Sequence, residues 1–226
     1  MIYGHIREGA FICRPNRFIA HVSLEGRETV VHVKNTGRCR ELLLPGVRVV
    51  LARSFNPVRK TAYDLTGVYK NGRLFNIDSQ APNRVVREWL EGQGFDEIRP
   101  EFGYGESRMD FFMKRDGESF LLEVKGCTLE EDGIGYFPDA PTLRGVRHLH
   151  ELARASREGY RAYLAFVIQT EGVSRVLPND RTHPAFGRAL REAEAAGVGI
   201  LYLKCGVTPE SLRILPGQDL PAEGRG

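Results

Sequence analysis

Two short strings, Arg108-Met-Asp-Phe111 and Glu123-Val-Lys125, flank an Asp116-Gly117 dipeptide, and together they constrain this 226-residue chain more than any other feature. Asp-Gly between apolar runs is the strongest short-range hairpin signal, because both central residues of a type I′ turn take positive φ. A two-residue turn pairs Arg115 with Glu118 and fixes every pair beyond them, which puts Asp110 opposite Glu123. Opposed residues share one face with Cβ atoms about 4.5–5.5 Å apart. Glu123 and Lys125, two apart, point the same way. One face of the hairpin then carries Met109, Phe111, Met113, Phe120, Leu122 and Val124, and the other gathers Arg108, Asp110, Glu123 and Lys125.

Facing carboxylates repel, so they need a cation or a shared proton at neutral pH. A divalent ion meets that need: magnesium binds through one or two carboxylates, keeps several waters and takes substrate phosphate oxygens. The expected cofactor is therefore Mg2+, or Mn2+ in its stead, held by Asp110 and Glu123. Lys125 would orient or deprotonate an attacking water, which is the chemistry of phosphodiester hydrolysis. The residue types match the D-x(n)-(D/E)-x-K core of the PD-(D/E)XK nuclease superfamily. An exposed, charged hairpin face would use the same residues. The apolar back face, and Leu121 beside Glu123, favour a partly buried acid pair over that plainer reading.

No run of about 18 apolar residues exists, and the first residues lack a signal peptide's basic and apolar regions, so a cytoplasmic protein without a membrane partner is expected. Cys13, Cys39, Cys127 and Cys205 are scattered, with no zinc spacing, and read as buried free thiols. The net charge of +3 is too small to establish a polyanion field by itself.

Residues 1 to about 81 read as short strands punctuated by Glu25-Gly26, Pro45-Gly46 and Asn71-Gly72, the pattern of a small OB-like barrel. From 82 to 226 helices alternate with strands, which argues for an α/β domain. A helix is expected over Asn83 to Gly92, with Pro82 in its first turn. Strands are expected near Ile98 to Tyr104, Tyr160 to Ile168 and Gly199 to Leu203, and a helix over Pro184 to Ala196. Another helix runs from about Thr142 to Glu158, closed by Gly159, with Leu143, Val146, Leu149 and Ala153 at core spacing. Its opposite stripe holds Arg144 and His148, one turn apart, where both would meet a phosphate or simply a solvated surface. Pro216 to Gly226 are expected to fray.

The run Tyr136-Phe-Pro-Asp-Ala-Pro-Thr-Leu-Arg-Gly-Val-Arg-His-Leu-His-Glu-Leu152, following Glu123-Val-Lys-Gly-Cys-Thr-Leu129, resembles the sugar fermentation stimulation protein A family. Arg17-Phe-Ile-Ala20, Asn35-Thr-Gly-Arg38, Pro82-Asn-Arg84 and Arg108-Met-Asp-Phe111 support the match in order, over about Arg14 to Leu203. The resemblance implies an N-terminal OB domain, a restriction-endonuclease-like domain and non-specific DNA binding, mostly through backbone contacts. It also implies a site of Asp110, Glu123 and Lys125, with Glu88 of the preceding helix as an additional acid, for which Glu91 and Glu101 compete. Arg17, Arg38, Arg144 and His148 are the expected DNA contacts. Met109 stands where the superfamily has its Pro, and Pro138-Asp139 reads as leading into a helix rather than as part of the site. Asn35-Thr-Gly37 reads as a turn that stabilises the barrel. The alternative function is a catalytically idle DNA-binding regulator of sugar, notably maltose, metabolism; a sugar-binding barrel is a third reading.

Overall fold

Glycine-containing turns and β-branched strands set the first half of the structure, a computed structural model that describes residues 1–35, 37, 39–56 and 58–221. Six strands, β1 (Ile6–Asn16), β2 (Ile19–Leu24), β3 (Arg27–Val33), β4 (Arg48–Arg53), β5 (Tyr63–Lys70) and β6 (Arg73–Asn76), run in the order β3-β2-β1-β4-β5-β6. A parallel pairing of β3 with β5 closes a five-strand ring and removes its edges. In β3 Val31 and Val33 face inward and join Val22, Leu51, Leu65 and Phe75 in a buried core. Glu25-Gly26 and Asn71-Gly72 both have paired positive φ, as type I′ hairpins require.

The chain then passes through Ile77–Gln80 into α1 (Ala81–Glu91), with Pro82 in the first turn. A six-stranded sheet follows, built from β7 (Glu97–Tyr104), β8 (Ser107–Arg115), β9 (Glu118–Cys127), then, beyond the short β10 (Glu130–Glu131), β11 (Ile134–Phe137) and the helix α2 (Leu143–Arg157), from β12 (Arg161–Ile168). After β13 (Val176–Pro178) and α3 (Pro184–Ala195), β14 (Gly199–Thr208) and β15 (Ser211–Ile214) complete the order β15-β14-β12-β9-β8-β7. β12 runs parallel to both β9 and β14 and is apolar along its length, as a strand covered on both faces must be. α1 packs on one face through Val85, Val86 and Leu90, and α2 and α3 cover the other through Leu149, Leu152, Phe186 and Leu190.

The hairpin register follows from its turn. Asp116 and Gly117 have φ of 52° and 80°, and Arg115 pairs with Glu118 out to Phe111 with Leu122. Both faces are covered, because Phe112 and Leu121 stand buried on the face of Asp110 and Glu123. Met109 leaves the alternation and joins them in the core under α2, a gap-filling role that its unbranched side chain suits.

The two units are tied by polar contacts. Asn76 N–H donates to the Gln169 carbonyl at 2.9 Å, Gln169 Nε2 donates to Asn76 Oδ1 at 3.0 Å, and Arg73 donates to the buried Glu130 at 2.7 Å. The amino terminus reaches across as well, with Tyr3 N–H on the Glu210 carbonyl at 2.7 Å. Pro216 to Pro221 do not fray: Trp89 Nε1 donates to the Gln218 carbonyl at 2.6 Å and Leu220 is buried. The expectation for residues 222–226 lies outside the described residues. Cys39, Cys127 and Cys205 are buried free thiols, but Cys13 is exposed on the barrel. No described helix is long and apolar enough to cross a membrane.

Candidate metal and phosphate centre

Past Phe111 and Leu122 the backbone ladder gives way to a side chain. Asp110 Oδ2 accepts from the Val124 N–H at 2.7 Å, and Asp110 Oδ1 accepts from Asn83 Nδ2 at 2.7 Å. Across the hairpin Glu123 is 2% exposed. Its Oε1 accepts from Lys125 Nζ at 2.5 Å and from His148 Nδ1. Its Oε2 is buried with no hydrogen-bond partner.

Electrostatics follow from that geometry. Burial pushes the Asp110 carboxyl up, the charge of Glu123 pushes it further, and it titrates at about 6 although the Val124 N–H, Lys125 and Asn83 pull the other way. For Glu123 burial also acts upward, but the His148 hydrogen bond and the Lys125 charge outweigh it and hold the carboxyl below its ordinary range. Arg144 Nε donates to His148 Nε2 at 3.2 Å. A guanidinium only donates, so that nitrogen is an acceptor and the imidazole proton sits on Nδ1, aimed at Glu123.

An unpartnered buried carboxylate oxygen costs about 1–3 kcal/mol or more, a cost that a cation bound beside it would relieve. The donors are hard oxygens. Among the described residues no three His, Cys, Asp or Glu side chains are placed to hold one metal ion together, so an ion here would take two carboxylates and complete its shell from water and substrate. That fits magnesium or manganese and does not fit a closed zinc site.

The structure thus brings Asp110, Glu123, Lys125, His148 and Arg144 together. His148 is not a surface contact: it is 1% exposed, with both ring nitrogens engaged, which takes it out of direct reach of DNA. Leu143, read as core, is 82% exposed, and α2 instead buries Gly145, His148, Leu149 and Leu152. The carboxylate beneath the helix rotates its inward stripe. Glu88 is not in the centre either, since its carboxylate accepts from the Met1 ammonium at 2.5 Å and is half-exposed. α1 reaches the site through Asn83, and Glu88 stands about 7.5 Å further along the helix and roughly 140° around it. Arg17 is exposed on the β1–β2 turn of the barrel, and Arg38 lies outside the described residues.

Two features were missed from sequence. Asn83 lay in a recognised string, but nothing marked its amide as a carboxylate donor. A cavity of about 220 Å3 between barrel and sheet is lined by Asn35, Gly37, Ser79, Asn83, Val124 and Asp139, among others. Asp139 therefore faces a polar cavity beside the centre.

A closed OB barrel joined to an α/β sheet whose central hairpin carries D…E-x-K defines a barrel coupled to a restriction-endonuclease-like domain. The chain belongs to the sugar fermentation stimulation protein family: it matches the family's RE domain over residues 80–211 and the SfsA N-terminal OB domain over residues 12–77. Proteins called sugar fermentation stimulation protein homolog are similar to it: that of Desulfitobacterium hafniense is 53% identical over 94% of each chain, and that of Ruminiclostridium cellulolyticum 49% identical over 91% of this chain and 92% of its own. The solved structure of Pyrococcus furiosus SfsA in complex with Ca2+ superposes with a TM-score of 0.83 at 29% identity, covering 95% of this chain and 96% of that one.

Proposed function

We propose that this protein binds DNA and hydrolyses its phosphodiester bonds in a reaction that depends on Mg2+ or Mn2+. The observation that carries the reading is Glu123 Oε2, buried and unpartnered, across the hairpin from an Asp110 whose carboxyl is pushed up to about 6. Two acids in that condition await a cation. That a family member was solved with Ca2+, another hard cation with oxygen ligands, supports such a site here.

Asp110 and Glu123 would hold the ion, which when bound polarises the phosphoryl group and acidifies a coordinated water. Asn83 and the Val124 N–H fix Asp110, while His148, itself held by Arg144, fixes Glu123. Lys125 donates to Glu123, and the rest of its amine faces the position where it would orient the attacking water or a phosphate oxygen. Arg144 is exposed on its outer side and can meet a substrate phosphate there.

The test is incubation of labelled single-stranded and duplex DNA with the protein in magnesium, manganese or EDTA, beside Glu123→Ala and Lys125→Ala. Cutting that needs metal and is lost in both variants is the expected result. Binding without cutting under every condition would leave an idle DNA-binding regulator.

A further inference from the structure

Beside the 220 Å3 cavity lies a second, open groove of about 600 Å3 on the barrel, lined by Arg14, Arg17, Arg40, Leu43 and Ala140, among others. Gly37 lines both. A Cβ on Gly37 would lie 2.8 Å from Asp139 Oδ2 and 2.9 Å from Asn35 Oδ1, so a side chain at this position would have to push those two polar ends aside. The groove is preformed: Arg14 donates to the carbonyls of Gly37 at 2.8 Å, Arg17 at 2.7 Å and Asn35 at 2.5 Å, tying together the loops that make its walls. Arg17 and Arg40 are exposed. The inner cavity ends on Asn83 and Val124, the two residues that donate to Asp110.

We propose that these two cavities form one path for a single strand of DNA, which follows Arg17 and Arg40 over the barrel, passes Gly37 and delivers a phosphodiester to Asp110 and Glu123. The inner cavity is about 220 Å3, and Glu123, next in the chain to its lining residue Val124, is almost fully buried. A flexible strand enters such a space, and a stiff duplex does not. The turn that carries Arg17 also exposes Phe18, an aromatic face of the kind on which unpaired bases stack. Asp139 is the one carboxylate among the described residues lining the two cavities, so a base amino group rather than a phosphate turns towards it.

This inference rests on the nuclease reading, and the experiment separates the two. Fluorescence anisotropy in calcium buffer compares a labelled 20-nucleotide single strand with the same sequence as duplex, for the wild type and for Arg17→Glu/Arg40→Glu, whose fold is checked by its melting curve. Single strand should bind at least tenfold tighter than duplex. The double variant should lose about tenfold or more on the single strand, with a log–log salt slope shallower by about 1.4, at roughly 0.7 per lost phosphate contact. Equal affinity for duplex, or a folded double variant that binds unchanged, overturns the path. Single strands held through Arg17 and Arg40 but never cut in magnesium or manganese would keep the path and remove the nuclease. Metal-dependent cutting of duplex, lost in Lys125→Ala but untouched by the double variant, would keep the nuclease and remove the path.

Discussion

Two sets of buried polar groups lie close together in this molecule, and they are built on opposite principles. At the junction of barrel and sheet, Asp78 is fully buried, yet it accepts from the Gln80 N–H at 2.9 Å and the Tyr3 hydroxyl at 3.3 Å and lies 3.7 Å from the Lys34 ammonium. Tyr3 accepts from Asn76, and Asn76 from Gln169. Among the described residues, no side-chain atom of Tyr3, Asn76, Asp78 or Gln169 is left buried without a partner. At the acid pair burial, and after it the charge of Glu123, pushes the Asp110 carboxyl upward, and Glu123 Oε2 has no hydrogen-bond partner. A satisfied network joins two units, whereas the acid pair leaves a buried acceptor unmet, which is what the proposed cation would use.

The largest effect should come from the open set. Asp110→Asn and Lys125→Ala should each lower cleavage by about 10²–10⁴, the range for losing a positioned catalytic group, while both variants still unfold cooperatively in urea. A cation-dependent rise in Tm should vanish in Asp110→Asn. Cleavage at wild-type rates in either variant would break the contrast. Gln169→Leu tests the closed set: it strips one donor each from Asn76 Oδ1 and the Asp78 carbonyl, which keep the Asp78 and Ala81 N–H groups, so it should cost about 1–3 kcal/mol of stability, at 0.5–1.5 per lost hydrogen bond. Calcium titration of the folded variant should match wild type. A Gln169→Leu protein as stable as its parent would show that the junction does not depend on its pairing.

The pH dependence sharpens the same comparison. The Asp110 carboxyl is raised in the folded state from 3.8 to about 6, so it adds stability below pH 3.8 and that stability is lost as pH rises through 6. Metal-free Asp110→Asn should therefore be more stable than wild type by about 1–3 kcal/mol at pH 8, at 1.4 per pKa unit less relaxation, and the gap should close towards pH 4. Denaturant melts in EDTA across that range measure it. Cation binding to wild type should weaken in the opposite sense, as protons compete below about pH 6.

What the sequence made legible was whatever a local rule controls. Asp116-Gly117 determines its turn, the turn determines the register, and the register brings Asp110 to Glu123 without reference to the rest of the fold. The barrel is equally local in origin, through Asn71-Gly72 and Glu25-Gly26. The faces of α1 and α2 were not legible in this way. Periodicity counts Leu143 as core and His148 as polar, and it has no knowledge of a carboxylate under the helix that draws the imidazole inward. Nor does it know that α1 lies with its amino end at the site, so that Asn83 and not Glu88 arrives there. The neck at Gly37 depends on Asp139, about a hundred residues away, and needs the fold to be seen.

The smallest expected effect probes that inward turn of α2. If His148 serves only to hold Glu123, an amide that still donates to Oε1 should suffice, and His148→Asn should keep most of the activity with a loss of about three- to tenfold. His148→Leu keeps the bulk but leaves Glu123 Oε1 with Lys125 alone, and should lose about 10²-fold, because a mispositioned metal ligand or its missing outer partner typically costs 10–100-fold. Both variants should shift the cation affinity in the same order as the rate. A direct role of His148 on substrate predicts something different: equal losses in the two variants, with cation affinity unchanged.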